Sequence, residues 1–175
     1  MTTRLGGVGK RMAVTVAVLL SSTTLMSGRS DGPLEDARVT ISRDEYGVPH
    51  VFGSTLEAVW FGAGYAQAQD RLWQAEMLRR SATGTSAEIL GSSAIESDVM
   101  ARTLFGPPAR RAELFANASP QMQRILTSFV AGMNAWIEDA TRLGTLPPEY
   151  QGQGLVPRPW TVDDTIAEAM LLLRT

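Results

Sequence analysis

The chain has 175 residues, 44% hydrophobic and 19% charged, a balance that excludes a disordered tail or an all-apolar membrane protein and provides enough apolar surface for a core. Its formal net charge is −2 with scattered basic residues, so neither nucleic acid nor an anionic membrane surface is indicated as a partner. Cysteine is absent, which removes disulfides, thiolate metal sites and a cysteine nucleophile from this segment.

The first twelve residues carry Arg4, Lys10 and Arg11 without an acid, and the apolar run from Ala13 to Leu20 leads into a Ser/Thr patch. This order predicts a signal peptide over residues 1–28, ending near Ser27 and Gly28, followed by a flexible mature N-terminus over 29–37. The run is well short of the ~20 apolar residues a spanning helix needs, so no stable membrane anchor is expected. Periplasmic or secreted localisation follows. Removing Arg4, Lys10 and Arg11 takes the formal charge from −2 to −5.

From Val39 to Ile41 the pattern alternates, Asp44 to Gly47 supplies turn chemistry, and Val48 to Phe52 resumes an extended pattern, which predicts a hairpin. Pro49 has no amide donor and places its strand at a sheet edge. Ser54 with Glu57 predicts a capping box opening a helix from Thr55 to about Ala82. The first half of that helix is apolar nearly all round, which predicts burial, and the stretch from Gln69 to Arg80 is amphipathic. Gly62 and Gly64 each cost roughly 1 kcal/mol against alanine in a helix and are explained by close backbone packing or a kink. Gly84 and Gly91 bracket a short helix, and Gly106-Pro107-Pro108 breaks the connector that follows. Ser119-Pro120 marks the start of a helix whose stripe of Met122, Ile125, Leu126, Phe129, Val130, Met133, Trp136 and Ile137 ends at Gly144. Residues 144–159 read as an irregular loop. Thr161 and Asp164 open a last helix that reaches the end of the sequence without a C-cap, so the chain is expected to continue beyond it.

The residues by themselves offer little chemistry. His50, the single histidine, has no sequence cue selecting a serine partner, and a structural role is the preferred reading. No cluster of His, Cys, Asp or Glu has metal-ligand spacing, so no metal site is assigned. Asp70-Arg71 and Arg79-Arg80 lie on a largely buried helix, where charges need partners. They are read as an ion-pair network, with Arg71 and Arg80 holding carboxylates elsewhere in the fold. Trp60, Tyr65 and Trp73 are read as core.

The segment from Ile41 to Val51 (ISRDEYGVPHV) resembles the opening of the α chain in the penicillin acylase family, where an R-D-x-x-G-V/I-P-H-I run begins the mature protein. The run from Gly62 to Glu76 is similar to the family's G-Y-x-x-A-Q-D-R-L-x-Q-M-E. Arg79 to Gly91, containing RRSATG and AEILG, resembles its R-R-x-x-x-G-x-x-A-E-x-x-G. Phe129 to Ile137 is similar to Y-A-x-G-x-N-A-W-I, and Pro159-Trp160 with Asp164 resembles the tryptophan and aspartate before the substrate-pocket helix. Residues 38–175 are covered.

The resemblance implies an α+β class, this chain being the helix-rich N-terminal portion of a four-layer αββα N-terminal-nucleophile hydrolase. It implies a precursor that cleaves itself into α and β chains, with residues 38–175 a truncated α-chain portion and the β chain its partner. The expected activity is hydrolysis of the amide in a small-molecule N-acyl substrate, a penicillin-type β-lactam or an acyl-homoserine lactone. The nucleophilic serine is expected downstream of Thr175, so no catalytic residue is assigned here. Leu173 falls where the family has a pocket-lining methionine and is the candidate substrate-binding residue; a core leucine is the competing reading. Calcium in the full-length protein is implied through a glutamate beyond Thr175, and no cofactor within this segment. The alternative to an enzyme is an exported helical binding module or an inactive relic.

Overall fold

The computed structural model describes residues 13–14 and 38–173. The expected signal peptide and flexible N-terminus, apart from Ala13–Val14, lie outside the described residues. Alternation and turn chemistry produce the expected hairpin: β2 (Val39–Arg43) pairs antiparallel with β3 (Pro49–Gly53), in a register running from Val39 opposite Gly53 to Arg43 opposite Pro49. The Asp44 carboxylate accepts from the amides of Tyr46 and Val48, each at 2.9 Å, and Gly47 takes φ +80°. A two-residue strand, β1 (Ala13–Val14), pairs on the other side of β2. The order β1-β2-β3 leaves β3 at an edge, where a proline is tolerated.

Helix α1 (Leu56–Thr83) starts one residue later than the expected box. Thr55 is the N-cap, its hydroxyl accepting from the Ala58 amide, because Ser54 is engaged in closing the hairpin, where its Oγ accepts from the Arg38 amide at 3.3 Å. Glu57 turns outward to Arg124 at 2.8 Å. Burial of the first half of α1 holds for the small residues Ala58, Gly62, Gly64, Ala66 and Ala68, whereas Trp60 is 37% exposed. The backbone leaves helical geometry at Arg71 (φ −139°, ψ 20°), so the break in α1 is not at its glycines.

The glycines serve close packing. A Cβ on Gly62 would come within 2.6 Å of Val39 and Val51 methyls in the hairpin. At Gly64 it would lie 2.0 Å from the Phe129 carbonyl oxygen of α5 (Pro120–Leu143), and at Gly132 of α5 it would lie 1.9 Å from the Phe61 carbonyl oxygen. The two helices therefore cross backbone against backbone, each offering a glycine to the other.

Between them the chain makes α2 (Ala87–Leu90), a 3-10 turn (Gly91–Ala94), α3 (Ile95–Phe105) and α4 (Pro108–Ala116), with the expected break at Gly106 and Pro107. After α5 ends at Gly144 in the left-handed conformation, the expected loop contains one short helix, α6 (Pro148–Gly152). Helix α7 (Val162–Leu172) opens with a complete capping box between Thr161 and Asp164. The core joins Ala68, Leu72 and Ala75 of α1 to Met133, Trp136, Ile137 and Ala140 of α5, closed by Tyr150 and Trp160. Leu72 and Met133 are almost fully enclosed, and each contributes about 1.5–3 kcal/mol. The α5 stripe is buried only in its second half; Met122 at its start remains 46% exposed.

Candidate functional site

On the buried face of α1 the positions 68, 72, 75, 76, 79 and 82 follow helical spacing, and two of them carry charge, Glu76 and Arg79. Both side chains are 4% exposed. Glu76 takes Arg79 on one carboxylate oxygen and the Arg80 Nε, at 2.6 Å, on the other. Arg80 continues to Glu88 of α2 at 2.6 Å. Arg79 lies over the Trp160 ring, its guanidinium carbon 5.1 Å from the ring centre, and its Nη1 is 3.9 Å from Asp164 of α7. Burial pulls the Arg79 guanidinium below its ordinary pKa, while the Glu76 carboxylate pulls the other way.

Asp164 is 1% exposed and fully used: it accepts from the Thr161 amide and hydroxyl and is forked by Arg158 at 2.5 and 3.1 Å. One turn on, burial and then the Asp164 charge push the Glu168 carboxyl up to about 7. Tyr150 stands edge-on to Trp73, ring centres 5.1 Å apart, and burial followed by the Glu76 charge raises its hydroxyl pKa. Asn134 of α5 grips the backbone of Trp160 from both sides, its amide donating to the carbonyl at 2.9 Å and its oxygen accepting from the N–H at 2.7 Å.

The same pairing logic runs through the other motif. Arg43 at the end of β2 forks Asp70 of α1 at 2.7 and 3.1 Å and also donates to Gln69 and to the Gly47 carbonyl. The motif segments read from the sequence thus pair with one another, Arg43 with Asp70, Arg79 with Glu76 and Trp160, and Asn134 with Trp160, while Arg80 and Glu88 pair within one segment. The arrangement aligns helices. It contains no nucleophile held by a base.

Not every candidate joins this network. His50 is half-exposed, with Nε2 3.2 Å from Asp44, and no hydrogen bond joins it to a serine among the described residues. The His50 bond holds the Asp44 carboxyl below its usual range. Arg80 holds carboxylates as expected, whereas Arg71, exposed at the break in α1, pairs with none among the described residues. Trp73 packs against the core as read; Trp60 does not. Leu173 sits at the end of α7, its amide donating to Ala169, and is 89% exposed, so it is not a core leucine among the described residues. No three of His, Cys, Asp and Glu gather to hold a metal ion among the described residues, and no described helix is long and apolar enough to cross a membrane. The buried acids Glu76 and Asp98 were missed in the sequence; a charge at an apolar-face position of a helix was the signal available for Glu76.

Comparison with known proteins places this arrangement. The family model described as penicillin amidase matches residues 38–174. The penicillin G acylase of Escherichia coli is 40% identical over 141 residues, covering 79% of this chain and 16% of that protein. The penicillin acylase 2 proenzyme of Pseudomonas sp. (strain SE83) is 35% identical over 142 residues, 81% of this chain and 18% of that protein. The acyl-homoserine lactone acylase QuiP of Pseudomonas aeruginosa is 33% identical over 134 residues, 77% of this chain and 16% of that protein. Among solved structures, a thermostable penicillin G acylase from Alcaligenes faecalis superposes with TM-score 0.71 at 36% identity, over 77% of this chain and 71% of that one. The chain spans 16–18% of the length of these curated relatives. With the family model matching from the first strand of the hairpin to the end of α7, the chain belongs to the penicillin amidase family.

Proposed function

We propose that this chain is the α-chain portion of an acyl-amide hydrolase made as a self-cleaving precursor, exported to the periplasm or secreted, and acting on a small N-acyl compound. The observation that carries the reading is the mutual pairing of the motif segments, within the residues that the penicillin amidase model matches. The role that follows is a scaffold. The α1–α5 pair and the Glu76–Arg79–Asp164 network hold α7 in place, and α7 presents Leu173 toward an acyl pocket completed by the β chain in a four-layer αββα fold. The reacting serine lies downstream of Thr175, where its hydroxyl attacks the amide carbonyl, its own α-amino group takes the proton, and neighbouring donors receive the oxyanion. Calcium, if used, is held by a glutamate beyond Thr175, and none of the roles given to residues 38–173 depends on it.

The names of the relatives supply two substrate classes to compare, penicillin G and acyl-homoserine lactones. The test expresses the reading frame through its natural stop codon and follows the exported product by mass spectrometry and amine release. Two chains, the second beginning with serine, together with release of amine from either class support the proposal. A single uncut chain inert toward both would replace it with the binding-module reading.

A further inference from the structure

The C-terminal end of α1, the loop into α2, the α3–α4 junction and the loop before α7 together enclose an open basin of about 710 Å³. Five guanidinium groups line it, from Arg79, Arg80, Arg102, Arg111 and Arg158, against the carboxylates of Glu88 and Asp163. Four of these arginines are matched by acids: Arg79 by Glu76, Arg80 by Glu76 and Glu88, Arg111 by Asp163 in a fork of 2.7 and 3.0 Å, and Arg158 by Asp164. Arg102 is not. It is exposed, its Nε donates to the Gly84 carbonyl at 2.8 Å, and its two terminal nitrogens donate to no group among the described residues.

A second observation comes from the floor. Arg79, which also lines the basin, is 4% exposed, and its Nη1, 3.9 Å from Asp164, is buried without a hydrogen-bond partner among the described residues. A buried donor left without an acceptor costs roughly 1–3 kcal/mol, more when charged, and native structures rarely leave one in that state. The basin therefore combines a surplus positive charge at its rim with an arginine N–H that lacks a hydrogen bond, the complement of an acceptor-only anion.

We propose that this basin binds a small oxyanion, the carboxylate or phosphate group of a small molecule, with Arg102 making the charge-assisted contact at the rim and Arg79 Nη1 the buried one. Its volume exceeds that of a bare phosphate and suits a compact organic acid or phosphate ester.

The full-length protein is titrated calorimetrically with sodium phosphate and with sodium acetate, each against sodium chloride at equal ionic strength. Saturable binding of either anion is expected, phosphate alone assigning the phosphate class and acetate alone the carboxylate class. Arg102→Gln is expected to weaken it by about tenfold, and Arg142→Gln, which alters an exposed arginine paired with Asp139 outside the basin, to leave it unchanged. Independently of any variant, the bound anion is expected to slow modification of Arg102 by a dicarbonyl reagent relative to Arg142, read by peptide mass spectrometry. Heats indistinguishable from those of chloride, equal binding by the two variants, or equal modification of the two arginines would overturn the proposal.

Discussion

Glu168 stands between two charges of opposite sign, Asp164 and Arg79, and neither pairs with it; its Oε1 is buried without a hydrogen bond among the described residues. In an unfolded chain this carboxyl ionises near 4.5, and in the fold near 7, because burial and then Asp164 disfavour its charge. Between these values the folded state keeps a proton the unfolded state has lost, so the contribution of Glu168 to stability is full below the lower value and is lost as pH rises through the upper one. Glu168→Gln is therefore expected to be more stable than the parent at pH 8 and equal to it at pH 4, as measured by urea unfolding at both. An equal difference at the two pH values would remove the titration from the account. At the same scale, Gly64→Ala drives a methyl into the Phe129 carbonyl, which is backbone and has little room to yield, and is expected to cost about 3 kcal/mol by the same measurement. The need for close packing at Gly64 was legible in the sequence, since a helix tolerates such a residue only for a reason. Which element approached was not, because Phe129 and Gly132 are distant in the chain and contribute backbone rather than side chains. The one-residue error at the helix start has an equally local cause: Ser54 and Thr55 are both competent caps, and the choice was made by the Arg38 amide across the hairpin.

At the scale of elements, two buried aspartates act as rivets. Asp98 of α3 accepts from the amides of Ser86 and Ala87 at 2.9 and 2.8 Å, which fixes the start of α2 against α3. Asp164 joins the cap of α7 to Arg158 and faces Arg79. Asp98→Ala is expected to cost about 2 kcal/mol, from two charge-assisted bonds whose donors are left behind. Asp164→Ala should cost about 3 kcal/mol, because it removes a cap and strands an arginine together. Thermal unfolding of both variants, with hydrogen exchange at Ser86 and Thr161, separates the local losses from the global ones. Of these two, Asp164 could be read from the sequence through its capping box with Thr161, a pattern four residues long. Asp98 could not, since its partners are backbone groups in another element. Helices α3 and α4 were read only as connectors because glycine and proline punctuate them closely.

The exposed side chains of Ile95, Val99, Met100 and Leu104 run along α3, with Leu90 nearby in sequence and Leu172 at the end of α7 also uncovered. Residues spaced by four on one helix make a continuous strip, and strips of that kind on a monomer mark surfaces that pack against something else. Residues 38–175 produced alone are therefore expected to bind a hydrophobic dye and to self-associate in sedimentation experiments. A monomer with a single sharp melting transition would show that the strip is tolerated in water.

The glycine-to-glycine crossing of α1 and α5 has a further consequence, in the history of the sequence. A joint made of main-chain atoms asks its surroundings for smallness at two positions and for little else, so the side chains around it are free to drift while the angle between the helices is kept. That is one way in which a chain can be only 36% identical to the Alcaligenes faecalis protein where the two align and still superpose on it at a TM-score of 0.71. Across more distant relatives, change at the positions of Gly64 and Gly132 should be restricted to residues without bulk, and where one of the two has grown, the other helix should have moved away.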